Sequence, residues 1–224
     1  MSTLFTVALF SGLFQALGYL VYIQKSLRKE VAKPGQSQEK VRAEIEPNPT
    51  TWLMFAYGTA TLAVLEWDHN ADWTILILPV TCAVLSLRVA YICWSQGKLK
   101  WPDNWMDVAA FMIDVSLTIA YIAVWVASQK AYISDAQRNE LVLLFLVLSN
   151  SSTMVSFIPL IRGTLKDPRT EHPLPWFIWT CAYLCLGFVT ASQYGYASMF
   201  MIYPVMNCIL HATMSLCASR RFFR

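Results

Sequence analysis

Two asparagines, Asn150 and Asn207, stand in the middle of long apolar runs. An amide in such a place offers two donors and an acceptor, which suits either a neutral polar ligand or an interhelical hydrogen bond. Each lies about ten residues from the end of its run, roughly 15 Å deep if the run is helical. Gln15, Tyr57, Tyr183 and Tyr203 add polar tips inside other runs, and tyrosine rings can also stack on a sugar, a nucleoside or an aromatic solute. His211 follows Asn207 by one helical turn, so the two share a face. These residues are the candidate binding groups for a small neutral polar solute.

Arg88 and Asp114 form a second constellation. A lone charge inside a span costs about 2.5–3.5 kcal/mol, so the two are expected to pair, with Asp107 on the same face as Asp114. That pair would pin one helix to the preceding one. The sharper alternative is that Asp114 takes up a proton and couples movement to a gradient. Prolines are the third set. Pro79 and Pro204 fall within apolar runs, and Pro159 and Pro173 flank a basic turn. A proline inside a helix removes one backbone bond and bends the axis, so all four are expected hinges or gate residues. Trp176, with Trp179, is placed to close the mouth beside them or to anchor it at the interface. No nucleophile motif, phosphate-binding glycine loop, H-E-x-x-H pattern or C-x-x-C pair occurs. The chain is therefore read as a non-enzyme with no cofactor and no metal, its six cysteines acting as small apolar residues.

The elements that must carry these residues follow from composition. Apolar residues make up 56% of the chain and charged ones 14%, and the apolar residues come in runs long enough to cross a bilayer as helices. Seven runs stand out, at 4–23, 51–66, 73–94, 105–128, 140–161, 174–193 and 196–217. The second is short and should extend into Pro49 or Trp67. The first lacks a basic start and a small-residue cleavage site, and reads as a retained helix. Lys and Arg concentrate in the segments after runs one, three and five and in the tail. By the positive-inside rule the N-terminus then lies outside and the C-terminus in the cytoplasm. The net charge of +3 is accounted for by these topology signals near anionic lipid and calls for no nucleic-acid partner. The expected partners are the lipid bilayer and a small-molecule solute, and a homo-oligomer is compatible with the pattern.

The chain also repeats. Pro49-Thr50-Thr51-Trp52 returns 124 residues later as Pro173-Leu174-Pro175-Trp176, and Leu78-Pro79-Val80 returns 125 residues later as Tyr203-Pro204-Val205. Ile23 to Arg28 returns 138 residues later as Ile161 to Lys166, and the polar stretch 33–46 accounts for the change of offset. Run four has no counterpart. Three spans per copy would invert the second copy, and one unpaired span restores its direction. The expectation is an all-α membrane protein of seven transmembrane helices, with two parallel three-helix repeats joined by a linker helix (3+1+3). The first repeat covers 1–97 with a cytoplasmic loop at 28–48. The linker covers 98–130, and the second repeat covers 131–224 with a basic cytoplasmic tail.

The segment Phe157-Ile158-Pro159-Leu160-Ile161-Arg162-Gly163-Thr164-Leu165-Lys166, followed by Pro173-Leu174-Pro175-Trp176, resembles the proline-bearing helix end, basic loop and proline-led helix of the SWEET/PQ-loop (MtN3-like) superfamily of seven-helix transporters. Helix one is a looser copy, with Val21 where the second copy has Pro159, and no Pro-Gln dipeptide occurs in either copy. The resemblance implies movement of a small solute, such as a sugar, by alternating access around a central pocket. It also implies asparagines on helices three and seven. Asn207 fits the second role, while Cys82 stands at the first. Two other readings share the 3+1+3 plan: a carrier of a vitamin precursor or nucleoside of the PnuC type, and a non-transporting receptor or scaffold.

Overall fold

The computed structural model describes residues 3–24, 49–95 and 105–223. The loop expected at 28–48 and the side chain of Asp107 lie outside the described residues. Every described backbone segment of length is helical, as it must be where no water satisfies peptide groups. The main helices are α1 (Thr3–Tyr22), α2 (Pro49–Asp68), α3 (Trp73–Ser95), α4 (Trp105–Gln129), α5 (Asp135–Lys166), α6 (Pro173–Tyr194) and α7 (Ile202–Ser219). Six of the seven are long and apolar enough to cross a membrane. The exception is α2. At 20 residues it has the length, but Pro49, Thr50, Thr51 and Glu66 dilute its ends. It extends to both Pro49 and Asp68, further than its apolar run.

The helix starts follow from their first residues. Helices α2 and α6 each begin on a proline, whose missing N–H is not needed in a first turn. His172 caps α6 by accepting from the Leu174 amide. Helix α5, 32 residues long, opens on a capping box in which Ser134 and Gln137 satisfy each other's backbone amides.

Two trios of helices recur in the packing. Helix α3 touches both α1 and α2, and α7 touches both α5 and α6. Across the middle, α1 packs on α6 and α2 packs on α5. Helix α4 lies to one side against α5 and α2 and turns most of its surface outward, including Trp105, Met112, Ile119, Ile122 and Trp125.

The α1–α6 contact is the tightest. A Cβ built on Gly18 would fall 2.3 Å from Trp179 Nε1, so only glycine lets the indole lie on the α1 backbone. The same indole N–H donates to the Gln15 carbonyl at 3.1 Å, and Ser11 donates to the Ala182 carbonyl at 3.0 Å. Two cores result. One is aliphatic, around Leu62, Leu65, Leu78, Leu146 and Leu186. The other is aromatic, around Tyr19, Tyr22, Trp52, Phe157, Trp176 and Trp179.

The structure corrects one expectation, that Pro204 lies well inside its helix, and has Pro173 at a helix start as the sequence indicates. Pro204 is the third residue of α7, and Pro173 is the first of α6. Neither removes a mid-helix hydrogen bond. Pro79 and Pro159 do lie inside α3 and α5. There they leave the carbonyls of Ile75 and Val155 without their usual amide partners.

Gly18→Ala should lower the thermal midpoint of the purified protein, corresponding to a loss of about 1–3 kcal/mol from overpacking. Gly163→Ala is the matched control. Nothing lies within 4 Å of its added methyl, so it should be neutral or stabilising by up to about 1 kcal/mol.

Candidate functional site: a central aromatic pocket

The two cores leave a small pocket between them. Twelve side chains line it, drawn from six helices: Tyr19 of α1; Trp52, Phe55 and Thr59 of α2; Cys82 of α3; Thr153 and Phe157 of α5; Trp176, Trp179 and Tyr183 of α6; Asn207 and His211 of α7. Helix α4 contributes none. The sequence offsets organise this set. Tyr19 and Phe157 are 138 residues apart, and Trp52/Trp176, Phe55/Trp179 and Thr59/Tyr183 are each 124 apart. Cys82 and Asn207 are 125 apart, and all ten line the pocket. The remaining two, Thr153 and His211, answer by the same offsets to Gln15 and Ser86, both buried beside the wall.

The rings close around His211. Its centroid lies 4.8 Å from Tyr183, 5.2 Å from Phe157, 5.4 Å from Trp176 and 5.8 Å from Trp179. Trp52 stands 4.7 Å from Tyr22 and 5.9 Å from Trp179, which seals the end nearest the α6 start. The free volume is about 20 Å³, room for about one water. That end of the pocket is thus closed by aromatic rings. A larger concavity of about 470 Å³ lies on the outer face of α5 and α7, lined by Met154, Ile202, Val205 and Ile209. That face meets acyl chains in a membrane.

Most polar groups in the pocket already donate within the protein. Thr59 donates to the Phe55 carbonyl at 2.5 Å and Thr153 to the Ser149 carbonyl at 3.3 Å. The Asn207 amide donates to the Tyr203 carbonyl at 3.0 Å. His211 Nδ1 lies 2.7 Å from the Asn207 carbonyl. A carbonyl only accepts, so Nδ1 carries the proton and Nε2 is left as an acceptor. The Tyr19 hydroxyl bonds Ser86 and Cys82, and the Tyr183 and Tyr203 hydroxyls bond each other at 3.1 Å.

Of the residues singled out in the sequence, Asn207, Tyr183 and Trp176 line the pocket. Gln15 is 1% exposed, lies against Cys82 and Tyr183, and has an Oε1 with no partner. Asn150 sits on the same face of α5 as Thr153 and Phe157, one turn from the pocket. Its Nδ2 donates to the Leu146 carbonyl and its Oδ1 has no partner. Tyr203 reaches the pocket only through Tyr183. Tyr57 does not belong to the site: it turns to α4 and donates to Thr118 at 2.6 Å. Sequence reasoning passed over Tyr19, Phe55, Thr59, Thr153 and Phe157. The offsets were the signal for some of them, because applying 124 to Tyr183 and Trp179 selects Thr59 and Phe55.

The expected pairing of Arg88 with Asp114 does not form. Helix α4 packs on α5 and α2, whereas Arg88 projects from the exposed face of α3 over the Tyr91 ring at 5.7 Å. Asp114 is 5% exposed and sits 3.3 Å from where a Cβ on Gly58 would be, with Ser152 beside it. The one ion pair among the described residues is Arg138–Asp68, which joins the α5 start to the α2 end.

One further carboxyl touches the site from a loop. Glu171 is 4% exposed and accepts from Trp176 Nε1 at 3.0 Å. Burial pushes its carboxyl up to about 7, against the opposing Trp176 hydrogen bond. A carboxyl raised in the fold binds more protons folded than unfolded. Its contribution is therefore fully present below about pH 4.5 and is lost as pH rises through about 7. Between those values the wild-type protein should lose up to about 3 kcal/mol relative to Glu171→Gln, measured as the difference in thermal midpoint across the pH series.

Compared with family models, curated proteins and solved structures, the chain matches none.

Proposed function

We propose that this protein is a membrane carrier in which two parallel three-helix repeats, α1–α3 and α5–α7, move a small solute by alternating access, with α4 as the linker. The observation that carries the reading is the pocket lining. Five pairs of wall residues are related by the same offsets that relate the two halves of the sequence. A chance cavity in a helical bundle has no reason to be lined in matched pairs. The exchange of contacts supports it too: the first helix of each trio meets the second helix of the other, as a two-fold axis along the membrane normal requires.

In this reading the structure is the closed intermediate. Three polar ties hold the end at the α2–α3 turn. Asp68 pairs with Arg138, the Asp72 amide donates to the Tyr194 hydroxyl, and Gln193 donates to Thr74 at 2.8 Å. By the positive-inside rule the proposal has that end outside and the aromatic end in the cytoplasm. Opening either end requires α1 to move against α6 and α2 against α5. Pro79 and Pro159 supply the weakened backbone for bending, one in each trio. A sugar fits the pocket less well than the SWEET/PQ-loop resemblance implies. Each buried hydroxyl oxygen wants a donor, and an unmet one costs about 1–3 kcal/mol. The pocket donors are largely engaged.

The second reading is a non-transporting receptor or scaffold, and the 20 Å³ volume favours it, because a sealed core of matched rings could serve rigidity alone. Uptake into proteoliposomes, screened with sugars, nucleosides, amino acids and amines, separates the two. Asn207→Ala should reduce uptake at least ten-fold while the folded yield is kept. No movement of any solute by a well-folded preparation would remove the carrier reading.

A further inference from the structure

The pocket has a chemical bias that its shape does not reveal. Its walls are ring faces, and its open polar valences are acceptors. Thr59 and Thr153 have given their protons to backbone carbonyls. His211 presents Nε2, and Asn207 retains Oδ1 beside it. Behind the lining, the Gln15 amide lies against Cys82 and Tyr183, and its buried Oε1 has no partner. An orphaned buried acceptor needs an explanation, and a donor brought by a ligand supplies one.

The surrounding ionisable groups point the same way. Among the described residues the buried carboxyl side chains are Glu66, Asp114 and Glu171, and no Lys or Arg is buried. Glu171 touches the pocket wall from behind, where it holds the Trp176 indole. Glu66, whose Oε2 has no partner, is near enough to Tyr203 to act on it electrostatically. Asp114 lies against Gly58, the residue before Thr59 on α2. None of the three has a basic partner among the described residues. Ring faces carry the negative side of the aromatic quadrupole and attract a cation, more strongly where water is excluded. Acceptors without donors and ring faces without a cation lack the same complement.

We infer that the pocket binds a small protonated organic amine, its ammonium group seated among the aromatic faces with its N–H bonds turned to the open acceptors. The ligand carries no carboxylate, because no free base or row of donors is present to receive one. This deepens the carrier reading and rests on it for treating the pocket as the solute site, so binding and movement are measured separately.

The test uses the full-length protein in lipid nanodiscs, with tryptophan fluorescence and thermal midpoint followed at constant ionic strength. The probes are n-butylammonium, tetramethylammonium, n-butanol, butyrate and glucose. Butylammonium should quench saturably and raise the midpoint, with a Kd at least ten-fold below that of butanol, about 1.4 kcal/mol. Tetramethylammonium, which has the charge but no N–H, should fall between them, and butyrate and glucose should not bind. Gln15→Leu should weaken butylammonium about ten-fold, while Gln15→Glu, of nearly the same volume, should keep or tighten it. Equal binding of butanol, preferential binding of butyrate or glucose, or an unchanged affinity in Gln15→Leu would overturn the inference. Amine binding with no uptake of any of the screened solutes, amines included, into proteoliposomes supports the ligand class and removes the carrier reading. Uptake of a sugar with no amine binding does the reverse.

Discussion

The seam between α1 and α6 sets the geometry of everything else. Gly18 lets the Trp179 indole rest on the α1 backbone, and the indole N–H is satisfied by the Gln15 carbonyl. In hydrocarbon there is no hydrophobic drive between helices, so association relies on close packing and on polar groups finding partners. This one contact does both. It fixes how far the two trios approach, which way Trp179 faces, and how Trp52, Trp176 and Tyr19 stack around it. The pocket is the space left when those rings have packed.

The opposing seam, α2 on α5, is built differently. It is looser, and α4 closes it from the side. Its small residues, Gly58 and Ser152, face Asp114 of α4 rather than each other. A carboxyl therefore stands at the junction of both trios and the unpaired helix. The two seams are unlike in chemistry. One is rigid and aromatic, and the other is small-residue and polar.

The sequence announced helices more clearly than neighbours. All seven apolar runs became helices, and Pro49 and Pro173 marked two of the starts, because length, apolarity and the proline rule act locally. The Arg88–Asp114 pairing failed because it assumed that consecutive helices pack side by side. Helix α3 instead has α1 and α2 as its neighbours, and Arg88 was left on its outer face. Pro204 falls in the first turn of α7 because the apolar run begins before the helix does: Met199–Met201 form a 3-10 turn ahead of it. The pocket was half legible. Its one amide, Asn207, and two of its aromatics could be chosen by type, but Phe55, Thr59 and Phe157 look like ordinary core residues. Only the offset between copies gives them a reason to face inward.

Helix α5 is a 32-residue rod, about 48 Å at 1.5 Å per residue, whereas the acyl region of a bilayer is about 30 Å thick. Its first turns carry Asp135, Arg138 and Glu140, so the excess stands in the aqueous phase, where Arg138 clasps the end of α2. A thicker bilayer would draw that charged collar toward lipid, and a thinner one would release it. Helix α5 is in this sense a built-in ruler, and its tie to α2 depends on the thickness of the membrane around it.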